Sequence, residues 1–320
     1  GDVTFKGDAI SFNYPGTIVF KRDAAVRFEN AIGEGWSVTT EAGDASVKSG
    51  SVIFPSLPTV PVNVNFGEAV LEGRDLQIEG SALSLTTANG GRIRLAAGST
   101  ATLNLDGKAI DFAISGKAQT KPSTYNCLTD GAGATRILDG GELSIGATYG
   151  AWGPQGAGGD IHVEKGGTLK LTTDSSMGIY KPTRVEGGTL VNEYDGWGNI
   201  LYKVHLSNGA HLTGRKMEAG NNSYYNGSDT AQYSGSFLWQ TGTEESLVDF
   251  DEIRLGTSTD ATVNPVQLKF ICDGPLTVAS PLTAKEASQI RVNSLEMFGF
   301  LKKGADKLTL SSDKTAAPTA

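Results

Sequence analysis

Cysteine, histidine and charge are all scarce in this sequence, and each scarcity removes a class of function. Two cysteines, Cys127 and Cys272, stand 145 positions apart in 320 residues. That spacing fits no CxxC redox or metal motif and no disulfide framework. Two separate buried thiols are the plain reading, and a single disulfide would need an oxidising compartment. Three histidines in unlike contexts do not complete a tetrahedral zinc set, so neither metal nor cofactor is expected. Charged residues make up 19%, where about 25% is usual. Lys and Arg number 27 against 35 Asp and Glu, a net charge of −8. Phosphate backbones require a basic surface, so nucleic acid is not an expected partner. No apolar run approaches the 18 residues or so of a membrane-spanning helix.

Helical patterning is missing as well. An amphipathic helix repeats its apolar residues at i, i+3, i+4 and i+7 over ten or more positions, and only residues 284–290 come near. The Gly-x-Ser-x-Gly elbow, HExxH and the phosphate-binding Gly-x-x-x-x-Gly-Lys-Ser/Thr loop are all absent, so no catalytic residue is assigned. The chain opens on Gly1 with no basic-then-apolar leader, as expected of a processed piece of a longer protein.

Glycine is abundant instead, at 42 residues, alongside short period-two segments. Ile18-Val-Phe20, Ile93-Arg-Leu95, Leu103-Asn-Leu105, Leu169-Lys-Leu171 and Leu308-Thr-Leu310 are examples. Alternation marks strands with one face inward, and the intervening Gly, Asn, Asp and Ser mark tight corners. The alternation also recurs as a longer phrase. Thr135-Arg-Ile-Leu-Asp-Gly-Gly-Glu-Leu143 is echoed at Ile161-His-Val-Glu-Lys-Gly-Gly-Thr-Leu169. Two further echoes are Thr183-Arg-Val-Glu-Gly-Gly-Thr-Leu190 and Val204-His-Leu-Ser-Asn-Gly-Ala-His-Leu212. The central residues Ile137, Val163, Val185 and Leu206 are 26, 22 and 21 positions apart. Looser copies surround Val26, Leu76, Ile93, Ile253 and Ile290.

A repeat of 21–26 residues built of short strands and glycine corners predicts one turn of a parallel β-helix, a solenoid whose stacked turns share one core. About 14 turns fit the chain, a rod of about 65–70 Å at ~4.8 Å per strand. Antiparallel hairpins remain the alternative for residues 69–115. Three prolines within 54–61 suggest that residues 1–60 form a cap or first irregular coils. The solenoid then covers 61–310 and a tail or linker 311–320. Residues 117–134, 146–159 and 214–236 exceed the needs of a corner and are expected to leave one face as loops, where such folds place binding function.

Gly159-Asp-Ile-His-Val-Glu-Lys-Gly-Gly-Thr-Leu-Lys-Leu171 and Leu301-Lys-Lys-Gly-Ala-Asp-Lys-Leu-Thr-Leu310 resemble passages of bacterial autotransporter passenger domains. The second is similar to the autotransporter-associated β-strand repeat, Leu-Thr-Lys-x-Gly-x-Gly-x-Leu-x-Leu, except that Asp306 replaces a Gly and Lys307 a Thr. The resemblance implies a right-handed, pectin-lyase-like β-helix, exported and displayed on a bacterial surface. It does not imply one activity, since members include adhesins, stalks and some enzymes. The pectinase-type signatures (Asn-Thr-Asp, Asp-Asp, Gly-His-Gly, Arg-x-Lys) do not occur.

Two constellations could bind a ligand. The repeat sets a cation between apolar neighbours at Arg94, Arg136, His162, Arg184, His205, Arg254 and Arg291. Arg136, His162, Arg184 and His205 would stack as an outward stripe. This is either a track for an anionic glycan or polar side chains covering a sheet with Glu164 and Glu186 offsetting the charge. The second is aromatic: Tyr149, Trp152, Tyr194, Trp197, Tyr202, Tyr224, Tyr225, Tyr233 and Trp239. Such rings suit the apolar faces of sugars, or they pin long loops to the rod. The resulting expectation is a secreted or surface adhesin or stalk, with a glycan or host-surface ligand as partner. The alternative is a polysaccharide lyase or glycoside hydrolase with its acids among Asp195, Asp229, Asp249 and Asp251.

Overall fold

The computed structural model describes residues 3–5, 17–20, 25–28, 37–40, 51–54, 57–58, 62–65, 68–87, 91–105, 110–122, 127–128, 133–146, 160–172, 183–196, 200–201, 203–219, 235–255, 267–272, 276–280, 282–284, 288–292, 301–302 and 308–311. Their strands form a fourteen-stranded sheet, a twelve-stranded sheet and a four-stranded sheet. Every ladder in all three is parallel. The chain is a parallel β-helix. Each circuit lays one strand on the long sheet, turns a corner and lays another on a second face. Fourteen strands at ~4.8 Å give a ladder about 60 Å long.

The repeat read from the sequence is the circuit itself. Ile137 pairs with Val163, Val163 with Val185, and Val185 with Leu206. The column continues upstream through Ile114, Leu95, Leu71 and Phe54. Its members are 0–4% exposed. A second inward column on this sheet runs Ala69, Ile93, Phe112, Thr135, Ile161, Thr183, Val204 and Leu238. Opposite them the second sheet supplies Leu143, Leu169, Leu190, Leu212 and Val248, all fully buried. No circuit closes its own apolar edge, and each is covered by the next. Burying a leucine or valine side chain contributes about 1.5–3 kcal/mol, so register is held by the cost of turning a whole strand inside out.

Outside the regular region, circuit length varies. Ser51 pairs with Glu68, 17 residues on, whereas Lys203 pairs with Phe237, 34 residues on. Strand geometry constrains only the ladder, so extra residues are absorbed between strands.

The corner after each long-sheet strand explains the Gly-Gly pairs. Gly166 has a left-handed φ of 78°, a region that costs other residues energy. Gly167 follows, and a β-carbon there would lie 2.4 Å from the Ile137 carbonyl oxygen of the circuit below. At this corner the circuits stack too tightly for a side chain.

Several expectations need correction. Leu76–Glu79 and Ser246–Leu255, which contain two of the looser copies, lie on the second sheet. An apolar–polar–apolar triplet does not say which face it joins. Residues 69–115 contain no hairpin among the described residues. Leu95 reaches Ile137 through an intermediate circuit at Ile114. Residues 284–290 are not helical where described: Leu282–Ala284 and Ser288–Val292 are strands.

Parts of two proposed loops are strands. Lys117–Thr120 is a strand, with Ala118 and Thr120 inward and Lys117 and Gln119 outward; its single small apolar residue hid the alternation. His211–Ala219 runs straight through Gly214. There φ is 120°, and a β-carbon would lie 2.1 Å from the Asn192 carbonyl. The fully buried Asn192 lies against this point of the strand, donating to the Lys216 carbonyl and accepting from Tyr194 N–H at 3.3 Å. Residues 147–159 and 220–234 lie outside the described residues.

On either side of the proline-rich stretch, Ser51–Phe54 and Glu68–Leu71 pair directly. What changes near it is the second face. Thr17–Phe20, Ser37–Thr40, Val62–Asn65 and Leu85–Thr87 make the four-stranded sheet, whereas circuits from Leu76–Glu79 onward build the twelve-stranded one. The circuit starting at Glu68 therefore contributes to all three sheets. The cysteines are also placed. Cys127 is buried, and its thiol donates to the Lys121 carbonyl at 3.4 Å. Cys272 lies on the long sheet five strand steps beyond Thr135–Ile137, the next long-sheet strand after Cys127; those steps span about 24 Å, far beyond the ~7 Å span of a disulfide.

Two stability predictions follow from this packing. G167A should lower the urea midpoint by the equivalent of about 1–3 kcal/mol, the usual cost of overpacking; an unchanged midpoint would contradict the stacked corner. Thr183 is fully buried, and its hydroxyl has no partner. T183V should raise stability by about 1 kcal/mol by removing an unsatisfied group, and a loss would show that the hydroxyl is bonded.

Candidate functional site

The long sheet aligns the cationic positions in one outward column. Arg94 pairs with Ala113, and Ala113 with Arg136; His162, Arg184, His205 and Trp239 follow on successive circuits. Arg254 belongs to the second sheet, opposite Glu218 and Thr283. Arg291 registers with Lys269, one column over. Trp152, Trp197, Tyr202, Tyr224 and Tyr225 lie outside the described residues.

The arginines of the column are already engaged. Arg92 and Arg94 donate through Nε to the two oxygens of Glu68, at 2.6 and 2.8 Å. Burial would raise the Glu68 pKa, but those two guanidiniums outweigh it and hold the carboxyl below its usual 4.5. Arg136 reaches Glu164 at 3.4 Å and Arg184 reaches Asp160 at 3.1 Å. Each of these pairs joins different circuits.

The histidines differ from the arginines. Burial, then the neighbouring Arg136, pushes the His162 pKa below 6.5, against the opposing pull of Glu186 and Asp160. Its Nδ1 is buried with no partner. Burial and Arg184 push His205 down in the same way, and its ring stacks on Trp239 with centroids 4.6 Å apart at 28°. At neutral pH the column therefore alternates neutral imidazoles with neutralised guanidiniums. It is a ladder of flat side chains rather than a free basic track.

The second sheet behaves similarly over much of its outer face. Glu79 accepts from Lys121 and from Asn104, both at 2.7 Å, and the Lys121 bond outweighs burial to lower its pKa. Lys170 bonds Glu142 at 2.9 Å, which raises the lysine pKa against the effect of burial. Of the acids named above, Asp195 pairs with Lys216 and Asp251 with Arg215, each at 3.4 Å. Asp249 is exposed on the outer face, opposite Thr213 in the register, and Asp229 lies outside the described residues. Among the described residues no three His, Cys, Asp or Glu side chains are placed to hold a metal ion.

One outward region is neither ion-paired throughout nor flat. On Leu76–Glu79, Thr100–Asn104, Lys117–Thr120 and Glu142–Ile145, two outward columns run side by side. Gln77, Thr102, Gln119 and Ser144 form one; Asp75, Thr100, Lys117 and Glu142 form the other. Between them lies a trough of about 390 Å³, floored by Ala101 and Ala118. In that inward column Leu143, Leu169 and Leu190 stand on the following circuits. The sequence does not announce the trough, because Lys117–Thr120, with one small apolar residue, has the pattern of a loop. Its signal was the run of short uncharged polar residues at alternate positions.

Stability should fall as pH drops below 6.5. A histidine with a depressed folded-state pKa takes up its proton more readily once unfolded, so native stability is full above 6.5 and lost as pH passes toward the folded value. Urea midpoints at about pH 7.5 and about pH 5 should differ, and H162Q should reduce the difference; an unaltered difference would show that His162 does not contribute. Glu68 and Glu79 act in a separate window, below 4.5.

No family model, curated protein or solved structure matches this chain.

Proposed function

We propose that this chain is part of an exported, surface-displayed β-helix that serves as an adhesin or stalk. One observation carries the reading: the outward charges join one circuit to another. Glu68 is held by Arg92 and Arg94, Glu164 by Arg136, Asp160 by Arg184, Glu142 by Lys170 and Glu79 by Lys121. Each exposed pair contributes only about 0–1 kcal/mol, but together they tie successive circuits along both sheets. Such a surface suits a rod that presents a ligand-binding face at a distance. Supporting it, the autotransporter-like phrase at 301–310 supplies strands to the ladder, Leu301–Lys302 and Leu308–Ser311 pairing onto the preceding circuit.

The test is a panel of immobilised acidic and neutral polysaccharides. The expected outcome is retention of the protein on at least one, with no new reducing ends or unsaturated sugars. Release of such products would overturn this reading in favour of a lyase or hydrolase.

A further inference from the structure

We propose that the trough on the second sheet binds an uncharged, hydroxyl-rich oligosaccharide laid along the helix axis. The inference rests on the adhesin reading above and gives it a site and a ligand class.

The shape comes from the register. Gln77 is paired with Thr102, Thr102 with Gln119 and Gln119 with Ser144, so amide and hydroxyl alternate at ~4.8 Å over about 14 Å. The facing column stands two residues away along each strand, about 7 Å. A volume of about 390 Å³ falls within the range of small-ligand sites. The trough is long, narrow and axial, which suits a chain of rings better than one compact molecule.

The chemistry selects the class. Carboxamides and hydroxyls both donate and accept, as sugar hydroxyls do. The amides are preset along the trough: Gln119 Nε2 donates to Thr102 Oγ1, and Gln77 Nε2 to the Asp75 carbonyl, both at 3.2 Å. Thr100 Oγ1 accepts from Asp75 N–H at 2.7 Å and donates to Asp75 Oδ1 at 3.2 Å.

Charge argues against an acidic glycan. Asp75 and Glu142 lie on one wall, and Lys117 is the one cation there. Glu142 is balanced by Lys170 from outside the trough, which leaves Asp75 and Lys117 to cancel. A carboxylated sugar would therefore meet no net positive charge in the trough. Between the two outward columns the floor at Ala101 and Ala118 carries no outward side chain, which leaves room for the CH side of a ring.

The experiment titrates the whole chain calorimetrically with cellohexaose, maltohexaose, xylohexaose and mannohexaose, and with hexagalacturonate as the anionic comparison. At least one neutral oligosaccharide should bind, and hexagalacturonate should bind more weakly. Q119A and T102A should each weaken binding about 3- to 10-fold, and Q77A/Q119A about 30-fold or more, as expected for hydrogen bonds lost singly and together. T213A, on the same outward column but beyond the trough, should bind as the parent does. Thermal melts of every variant separate lost binding from lost folding. Binding unaffected by Q77A/Q119A, or preference for hexagalacturonate, would overturn the trough while leaving the adhesin reading standing. Failure of every neutral and acidic glycan would overturn both.

Discussion

Parallel register between circuits is the constraint on which everything else depends. A strand of three to five residues buries too little apolar surface to hold itself. It persists because Val163 lies on Ile137 and under Val185, and because the neighbouring column repeats the arrangement. Slipping one residue would turn the inward column outward, so a local error would propagate through the ladder. The corners are subordinate to this stacking. Gly167 is glycine because the circuit below occupies the space a side chain would need.

Outward positions are freed from that task, and the chain uses them in two ways. Over much of both sheets they carry acid–base partners from different circuits, so many of the described charges meet an opposite within the molecule. The alternation of arginine and histidine on the long sheet follows the same economy. Two like cations on adjacent strands would repel across ~4.8 Å; a neutral imidazole between Arg136 and Arg184 separates them. Around Ala101 and Ala118 uncharged side chains predominate, and there the surface is concave.

How much of this was legible in the sequence depended on side-chain size. Where large apolar residues alternate, as at Ile161–Glu164 and Thr168–Leu171, strand, corner and period could all be read. The four cationic positions fell in one column because they sit inside that phrase. Lys117–Thr120 escaped notice because its inward residues are Ala118 and Thr120, and a polar strand looks like a loop until its neighbours are known. Face assignment failed at Leu76 and Ile253 for a related reason, since alternation reports inside against outside but not which wall. The partners of Arg136 and Arg184 were only partly visible. Glu164 was near in sequence, whereas Asp160 meets Arg184 only through the register.

The circuit beginning at Glu68 has a mechanical meaning. A stack of identical units frays from its end one unit at a time, each release as easy as the last. At this circuit, strands Glu68–Leu71, Leu76–Glu79 and Leu85–Thr87 belong to three different walls. Peeling that begins at the amino-terminal end meets a unit gripped on a third side, and must tear it from the wall that starts there before going further. A pull on the rod from that end would accordingly stall at one place, leaving the downstream barrel of coils intact while the first few have already unwound.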